Sequence, residues 1–327
     1  LSHIRGVPQQ YQQQKKGKNS KQVLRPIISD LEIVRPAPFE GHQLYLKRDD
    51  LLHPEVQGNK WRKLGPLLAR AHEVEHGVLS FGGPFSNHLH ALAAAGRIFG
   101  FPTAAVVRGS FIAPDNPTLA FAVNNGMKLF PVPKADYDVL KKTDTPTVAA
   151  YLGNRKLSGY EWLPEGGDSP ESVRSCAAIS TETRRQLGSD VAGNIFICVP
   201  AGTGCTAAGV IAGAAGWGRV LVFPAAPYGV DRAGIDARMR NAGFDKWAGY
   251  EIINPSRPLK FAETTPEILD FISNFSKNQG VTLDWIYNGK MMFRIAELVL
   301  SGYFPDGSHI IAVHTGGLQG INAGKGK

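Results

Sequence analysis

Two stretches of the chain concentrate the residue types that do covalent and anion chemistry. The first joins Lys47-Arg48-Asp49-Asp50 to Gly58-Asn59-Lys60-Trp61-Arg62-Lys63. A lysine opening a helix beside Arg62 and Lys63 has its ammonium disfavoured by positive neighbours and by the helix N-terminus. Such an amine attacks carbonyl carbon near neutral pH, which is the requirement for a Schiff base. Composition alone allows a second reading, a solvated, charged loop that begins a helix.

The second stretch supplies two anion-receptive loops. Ser86-Asn87-His88 follows an apolar run and a Gly-Gly loop and opens a helix, where free backbone N–H groups and the helix dipole suit a carboxylate. Ser86 or Asn87 acting only as a helix cap is the alternative. Ala201-Gly202-Thr203-Gly204-Cys205-Thr206 follows another apolar run and precedes an Ala-rich helix. Small residues let that backbone wrap a phosphate, with Thr hydroxyls adding donors. A dinucleotide fingerprint would want a third glycine where Ala207 stands and an acidic residue near 219–226; both are missing. GxxxxGK[ST] and GxSxG are absent from the sequence as well.

His72-Glu73-Val74-Glu75-His76 has the H-E-x-x-H spacing of zinc proteases. It falls in what reads as the last turn before Gly77, away from the apolar face, so no metal is expected. Cys176, Cys198 and Cys205 have neither metal nor CxxC spacing and fit buried thiols in a reducing cytoplasm.

These groups sit on an alternating pattern of helices and short apolar runs, the signature of an α/β protein. Strands are expected at Val78–Phe81, Thr103–Val107, Lys128–Val132, Asn194–Val199, Val220–Phe223 and His309–Val313. Helices are expected from Leu64 through Val74 to a stop at Gly77, from Leu89 to Gly100, and near 170–188, 205–215, 231–242, 266–278 and 289–302. The stretch 143–170 lacks periodicity and reads as a domain crossover. The net charge of +8 is concentrated at the start of the chain, where residues 1–25 carry six basic residues, six glutamines and no acid. That stretch reads as a basic, flexible tail; the remainder shows no basic stripe with interleaved aromatics, so no nucleic-acid partner is expected. No apolar run is of membrane-spanning length, and no membrane partner is expected.

Together the motifs are similar to the pyridoxal-5′-phosphate (PLP) dependent family of 1-aminocyclopropane-1-carboxylate (ACC) deaminase and D-cysteine desulfhydrase. The resemblance runs from about Leu44 to Gly320. It rests on Lys47–Asp50, Gly58–Leu64, Phe81-Gly82-Gly83 with Ser86–His88, Gly202–Thr206, Leu283-Asp284-Trp285-Ile286-Tyr287-Asn288-Gly289-Lys290 and His314-Thr315-Gly316-Gly317. It implies fold type II, the tryptophan synthase β-like arrangement of two α/β domains with PLP between them, in a homodimer. Residues 26–62 and 171–327 would form the large cofactor-binding domain and 63–170 the small one.

By the same resemblance, Lys60 carries the cofactor as a Schiff base, and Lys63 neighbours its phosphate. Gly202, Thr203, Gly204, Cys205 and Thr206 cradle that phosphate, Asn87 bonds the 3′-oxygen, and Thr315 approaches the pyridine nitrogen. Ser86, Asn87, His88 and Tyr287 meet the substrate, with Lys60, Ser86 and Tyr287 catalytic. The chain departs from the family at Cys205, where a glycine is expected. It departs again at Lys260-Phe261-Ala262-Glu263, which lacks a tyrosine. Asn288 and Thr315 stand where ACC deaminases carry glutamate and leucine. The implied reaction is β-elimination from D-cysteine to pyruvate, ammonia and hydrogen sulfide, the α-proton passing to Lys60 or Tyr287. ACC deamination, a dehydratase or synthase of the same fold, and non-catalytic PLP sensing are the alternatives; retention of Lys60, Ser86 and Tyr287 argues against sensing.

Overall fold

The computed structural model describes residues 28–320 apart from Pro114 and Tyr228, so the basic stretch 1–25 lies outside the described residues. Ten strands and ten α-helices alternate through these residues. The strands are β1 (Leu31–Val34), β2 (Gln43–Lys47), β3 (Val78–Gly82), β4 (Thr103–Arg108), β5 (Lys128–Val132), β6 (Glu161–Trp162), β7 (Ile195–Ala201), β8 (Arg219–Pro224), β9 (Tyr250–Ile252) and β10 (His309–Val313). The first five helices are α1 (Asn59–Ala69), α2 (Asn87–Phe99), α3 (Pro117–Asn124), α4 (Lys134–Leu140) and α5 (Thr145–Tyr151). The rest are α6 (Pro170–Leu187), α7 (Cys205–Gly213), α8 (Arg232–Asn241), α9 (Pro266–Gln279) and α10 (Asn288–Leu300).

The strands form two sheets, ordered β1-β2-β10-β7-β8-β9 and β5-β4-β3-β6. Apart from the antiparallel edge pair β1–β2, all pairings are parallel. Central parallel strands are covered on both faces, which is why they read as unbroken apolar runs. Along β7, Ile195, Ile197 and Val199 enter one core while Phe196 and Cys198 enter the other. In the smaller sheet, β4 sends Ala105 and Val107 to one core and Ala104 and Val106 to the opposite one.

Helix α1 ends at Ala69, short of the stop expected at Gly77, and a 3-10 turn covers Ala71–Glu73. Val74, in an extended conformation, packs into the same core as Leu64, Leu67 and Leu68, with Ala71 against it, so the apolar spacing outlasts the helix. His72 and His76 are consequently exposed and lie outside any common α-helical face. Among the described residues no group of His, Cys, Asp or Glu side chains could hold a metal ion. The stretch expected to lack periodicity contains α5 and the two-residue β6.

Within α1, Pro66 has no N–H to give the carbonyl of Arg62 four residues earlier. Ser175 Oγ of α6 donates to that carbonyl at 2.7 Å, and Ser172 Oγ donates to the Lys63 carbonyl at 2.9 Å. The proline therefore docks α1 on α6 instead of breaking it. The boundary expected at 62/63 falls inside α1, and that at 170/171 falls at the start of α6.

The segment Lys47–Asp50 is buried, not a solvated loop. Arg62 Nε and Nη2 grip the two oxygens of Asp49 at 2.6 and 2.7 Å, and its Nη1 reaches Glu182 of α6 at 2.9 Å. Lys47 Nζ lies 3.1 Å from Glu182 and donates to the Ser29 carbonyl at 2.6 Å. Arg48 bridges Asp50 and Glu32. With every charge opposed and hydrogen-bonded, the network fixes the first turn of α1 against the large sheet.

Candidate active site

Four loops at the carboxyl ends of parallel strands converge on the N-terminus of α1, the location expected for a ligand crevice in an open α/β sheet. They follow β2, β3, β7 and β10. Gly58, which precedes α1, adopts φ +60, and a Cβ there would stand 1.9 Å from the Thr315 carbonyl oxygen. Only glycine permits this approach. It lets the Asn59 N–H donate to the same carbonyl at 3.1 Å, which seats α1 on the loop after β10.

Lys60 therefore points into the convergence from the first turn of α1. Its side chain is partly buried, and Nζ donates to Asn59 Oδ1 at 3.0 Å. Burial is the largest influence lowering its pKa to about 7, and the Lys63 charge is the next. The mechanism differs from the one composition suggested, because the Arg62 guanidinium is turned away and neutralised by Asp49 and Glu182. Lys63 Nζ reaches the Gly166 carbonyl at 3.0 Å.

The loop Gly202–Thr206 lies beside these lysines. Gly204, at φ +91, precedes α7, which has no side-chain cap. The first N–H groups of α7 are thus available to an anion. Thr206 Oγ1 accepts from Asn59 Nδ2 at 3.0 Å, coupling this loop to α1. Thr203 Oγ1 is 3.4 Å from the Cys205 N–H. The Cys205 side chain is buried, with Sγ 3.9 Å from the Gly167 carbonyl oxygen, and hydrogen-bonds Cys176. That contact and the positive charges of Lys63 and Lys60 lower the Cys205 pKa.

Across the site, Ser86 caps α2 by accepting from the Leu89 N–H at 3.3 Å. Asn87 Oδ1 accepts from Gln319 Nε2 at 2.6 Å, and the opposite oxygen of Gln319 is buried without a partner. His88 faces inward. Ser80 Oγ donates to the Leu163 carbonyl, so its oxygen receives the His88 Nε2–H at 2.8 Å. Nδ1 is left as a buried acceptor with no partner, and burial with Lys60 and Lys63 holds the ring neutral. His88 thus offers the site a lone pair from the side.

Tyr287 stands at the start of α10. A Cβ on Gly202 would lie 3.3 Å from its ring and hydroxyl, so the absence of that atom admits the tyrosine to the phosphate-type loop. Phe261, from the loop that lacks the family's tyrosine, meets the Tyr287 ring edge-on with centroids 5.9 Å apart. Burial, helped by Asp284 and Glu165, raises the Tyr287 pKa above the usual phenol range.

Asn288 is wholly buried and its carboxamide is engaged on both ends. Nδ2 donates to Asp284 Oδ2 and to the Gly316 carbonyl, the latter at 2.8 Å. Oδ1 accepts from the Thr315 N–H at 3.0 Å and from its hydroxyl at 3.3 Å. Asp284 also accepts from the backbone N–H groups of Ile286, Tyr287 and Asn288. Asn288 thereby ties α10 to the loop carrying Thr315. Asp284, Cys176, Gln319 and the Gly166-Gly167 turn were given no role at the site from the sequence. An Asp four residues before a helix start is an Asx-turn signal that could have found the first; the other three are brought in only by long-range packing.

These residues fit a cofactor that carries an aldehyde and a phosphate. They offer an amine held near neutrality, an uncapped helix N-terminus with two lysines beside it, and an unpartnered buried acceptor on His88. Residues 29–316 match the family of pyridoxal-phosphate dependent enzymes. The chain belongs to that family, whose membership implies PLP as cofactor.

Relatives carry finer names. A bifunctional D-cysteine desulfhydrase/1-aminocyclopropane-1-carboxylate deaminase of Arabidopsis thaliana is 28% identical, over 88% of this chain and 75% of its own. A D-cysteine desulfhydrase of Salmonella paratyphi A is 25% identical, over 88% of this chain and 91% of its own. The crystal structure of an ACC deaminase homologue superposes with a TM-score of 0.73 at 24% identity, covering 91% of this chain and 92% of that one. The two sheets and this likeness define fold type II, as the resemblance implied. Among the described residues no helix is long and apolar enough to cross a membrane.

Proposed function

We propose that this chain is a PLP-dependent lyase that eliminates the β-substituent of a small amino acid, with D-cysteine giving pyruvate, ammonia and hydrogen sulfide. The carrying observation is the Lys60 amine, lowered to about 7 beside the uncapped start of α7, with the Ser86-capped start of α2 across the site. Thr203, Cys205, Thr206 and Lys63 would hold the phosphate, Asn87 the 3′-oxygen, and Ser86 the substrate carboxylate. Bound there, PLP supplies an electron sink for the substrate Cα.

The proton inventory favours Lys60 as the base. At neutral pH a large share of its amine is unprotonated, whereas the raised pKa of Tyr287 keeps its phenol a donor. Lys60 Nζ then takes the α-proton, and Tyr287 Oη is suited to hydrogen-bond the departing sulfur. ACC, which has no α-hydrogen, gains nothing from this division of roles. It is also the substrate most in need of a carboxylate beside the pyridine nitrogen. Asn288 and Thr315 supply none. The reading extends to a cytoplasmic homodimer on the family likeness alone.

Borohydride reduction of the holoenzyme followed by peptide mapping should place the pyridoxyl group on Lys60. D-Cysteine should then release sulfide and pyruvate faster than L-cysteine, D-serine or ACC reacts. A label on Lys63 or Lys290, or faster opening of ACC, would refute the assignment.

A further inference from the structure

Tyr287 has a second environment. Beyond its ring, along α10, lies a surface cleft whose empty space, open to solvent, is about 530 Å³. Its walls include Phe223, Ile253 and Leu259, with Arg257, Lys290 and Arg294 beside them; Arg257 is paired with Glu267 at 3.4 Å. Lys290 is buried; Glu263 and Asp284 act on it electrostatically, but among the described residues neither forms an ion pair with it. Its Nζ donates only to the carbonyls of Ala225 and Lys260, at 3.1 and 3.4 Å, which leaves one N–H over. Arg294 Nε is buried and has no hydrogen-bond partner. The one carboxylate lining the cleft, Glu297, is already engaged by Arg294 Nη1 at 3.1 Å and Ser256 Oγ at 2.9 Å.

An apolar cleft that shares Tyr287 with the active site and holds a spare lysine N–H and an unpartnered arginine N–H suits a chain that ends in an anion. We propose that it is a subsite for the distal part of the substrate. It would take a β-substituted alanine whose leaving group is a short alkyl chain ending in a carboxylate. The inference rests on the lyase reading above and adds the substrate class. The helix sets the length: Lys290 is three residues and Arg294 seven residues beyond Tyr287, about 4.5 and 10 Å along the axis. A thioether with two methylenes before its carboxylate spans the first of these distances. For S-(2-carboxyethyl)cysteine the reaction consumes one water. The α-proton is removed, the C–S bond breaks with its electron pair on sulfur, and the products are 3-mercaptopropionate, pyruvate and ammonia.

The test compares holoenzyme turnover of both enantiomers of S-(2-carboxyethyl)cysteine and of S-propylcysteine, reading thiol and pyruvate. The carboxylated compound should be preferred at least tenfold in kcat/KM. Lys290→Met should bring that ratio close to one, and Arg294→Leu should lower it; a ratio within one variant is independent of how much of it folds. In parallel, glutarate but not glutaramide should raise the Tm of the wild-type holoenzyme and leave that of Lys290→Met unmoved. Equal turnover of the two thioethers, or a ratio unchanged by Lys290→Met, would overturn the subsite. If no cysteine derivative reacts, the lyase reading fails, and the glutarate comparison alone decides the subsite: an equal Tm response in the two proteins overturns it.

Discussion

Replacing Asn288 by aspartate changes one buried NH2 into an oxygen and leaves the shape of the side chain intact. In the native protein that NH2 serves Asp284 Oδ2 and the Gly316 carbonyl, while Oδ1 holds Thr315. Asn288→Asp keeps the Oδ1 contacts and removes both donations. Each buried acceptor so deprived costs about 1–3 kcal/mol, giving a loss of roughly 2–6 kcal/mol. Asp284 retains the Asn288 backbone N–H at 2.9 Å, which favours the lower part of that range. The new carboxyl also meets Asp284, whose own pKa burial already raises against the N–H donors that lower it. Two carboxylates in contact cannot both ionise, so the pair retains a proton in the folded state at a pH where the unfolded chain has lost it. The folded protein then binds more protons than the unfolded one, and stability falls as pH rises from about 4 through the raised pKa. The Tm deficit relative to wild type should therefore be larger at pH 8 than at pH 5, where the shared proton restores one hydrogen bond. Thermal unfolding by circular dichroism at both pH values measures it, with Asn288→Leu as a control whose deficit should not depend on pH. Because the lost Nδ2 donation fixes the Gly316 carbonyl, next to the Thr315 carbonyl that accepts from the Asn59 N–H, PLP occupancy should fall as well. A variant as stable as wild type at pH 8, or equally deficient at both pH values, would refute the reasoning.

Three further outcomes follow from the same geometry. The rate at which apoenzyme captures PLP, read by absorbance, should rise with pH through about 7 and then level. Lys63→Met should move that inflection upward, since removing the like charge raises the Lys60 pKa; an inflection near that of free lysine would remove the basis for an activated amine. Arg62→Leu should destabilise the protein by about 3–5 kcal/mol, because Asp49 and Glu182 are left buried without their partner; unfolding in urea reads this directly. Ser86→Ala should raise KM for substrate with PLP content nearly normal. Thr206→Ala should instead weaken PLP binding by about 1.5–3 kcal/mol, a hydrogen bond to a charged group. The opposite pattern, in fluorescence titrations of PLP and steady-state kinetics, would reverse the placement of the two anions.

What local pattern governs was legible in the chain itself. The buried run at Ile195–Val199 followed by Gly202–Thr206 and small residues could only be a strand turning into a helix with an open N-terminus. Lys128–Val132 and His309–Val313 are strands at the bounds their apolar runs suggested. Those features depend on side-chain alternation and on glycine, which act over a few residues. The edge strand β1 and the two-residue β6 have too little alternation of their own and exist because a neighbouring strand offers its backbone. The end of α1 was misplaced because Ala71 and Val74 reach the same core from a 3-10 turn and extended backbone.

Charge was the least legible property, since its meaning depends on what lies opposite. The neutralised Arg62, the inward acceptor of His88 and the fully engaged Asn288 are each decided by a partner remote in sequence: Glu182, Ser80 through Leu163, and the loop at 315–316. The residues able to do chemistry were thus determined by the sequence. Tertiary structure alone decided which of them are neutral, which are paired and which remain free to act, because burial and Coulomb interactions depend on distance through space and not along the chain.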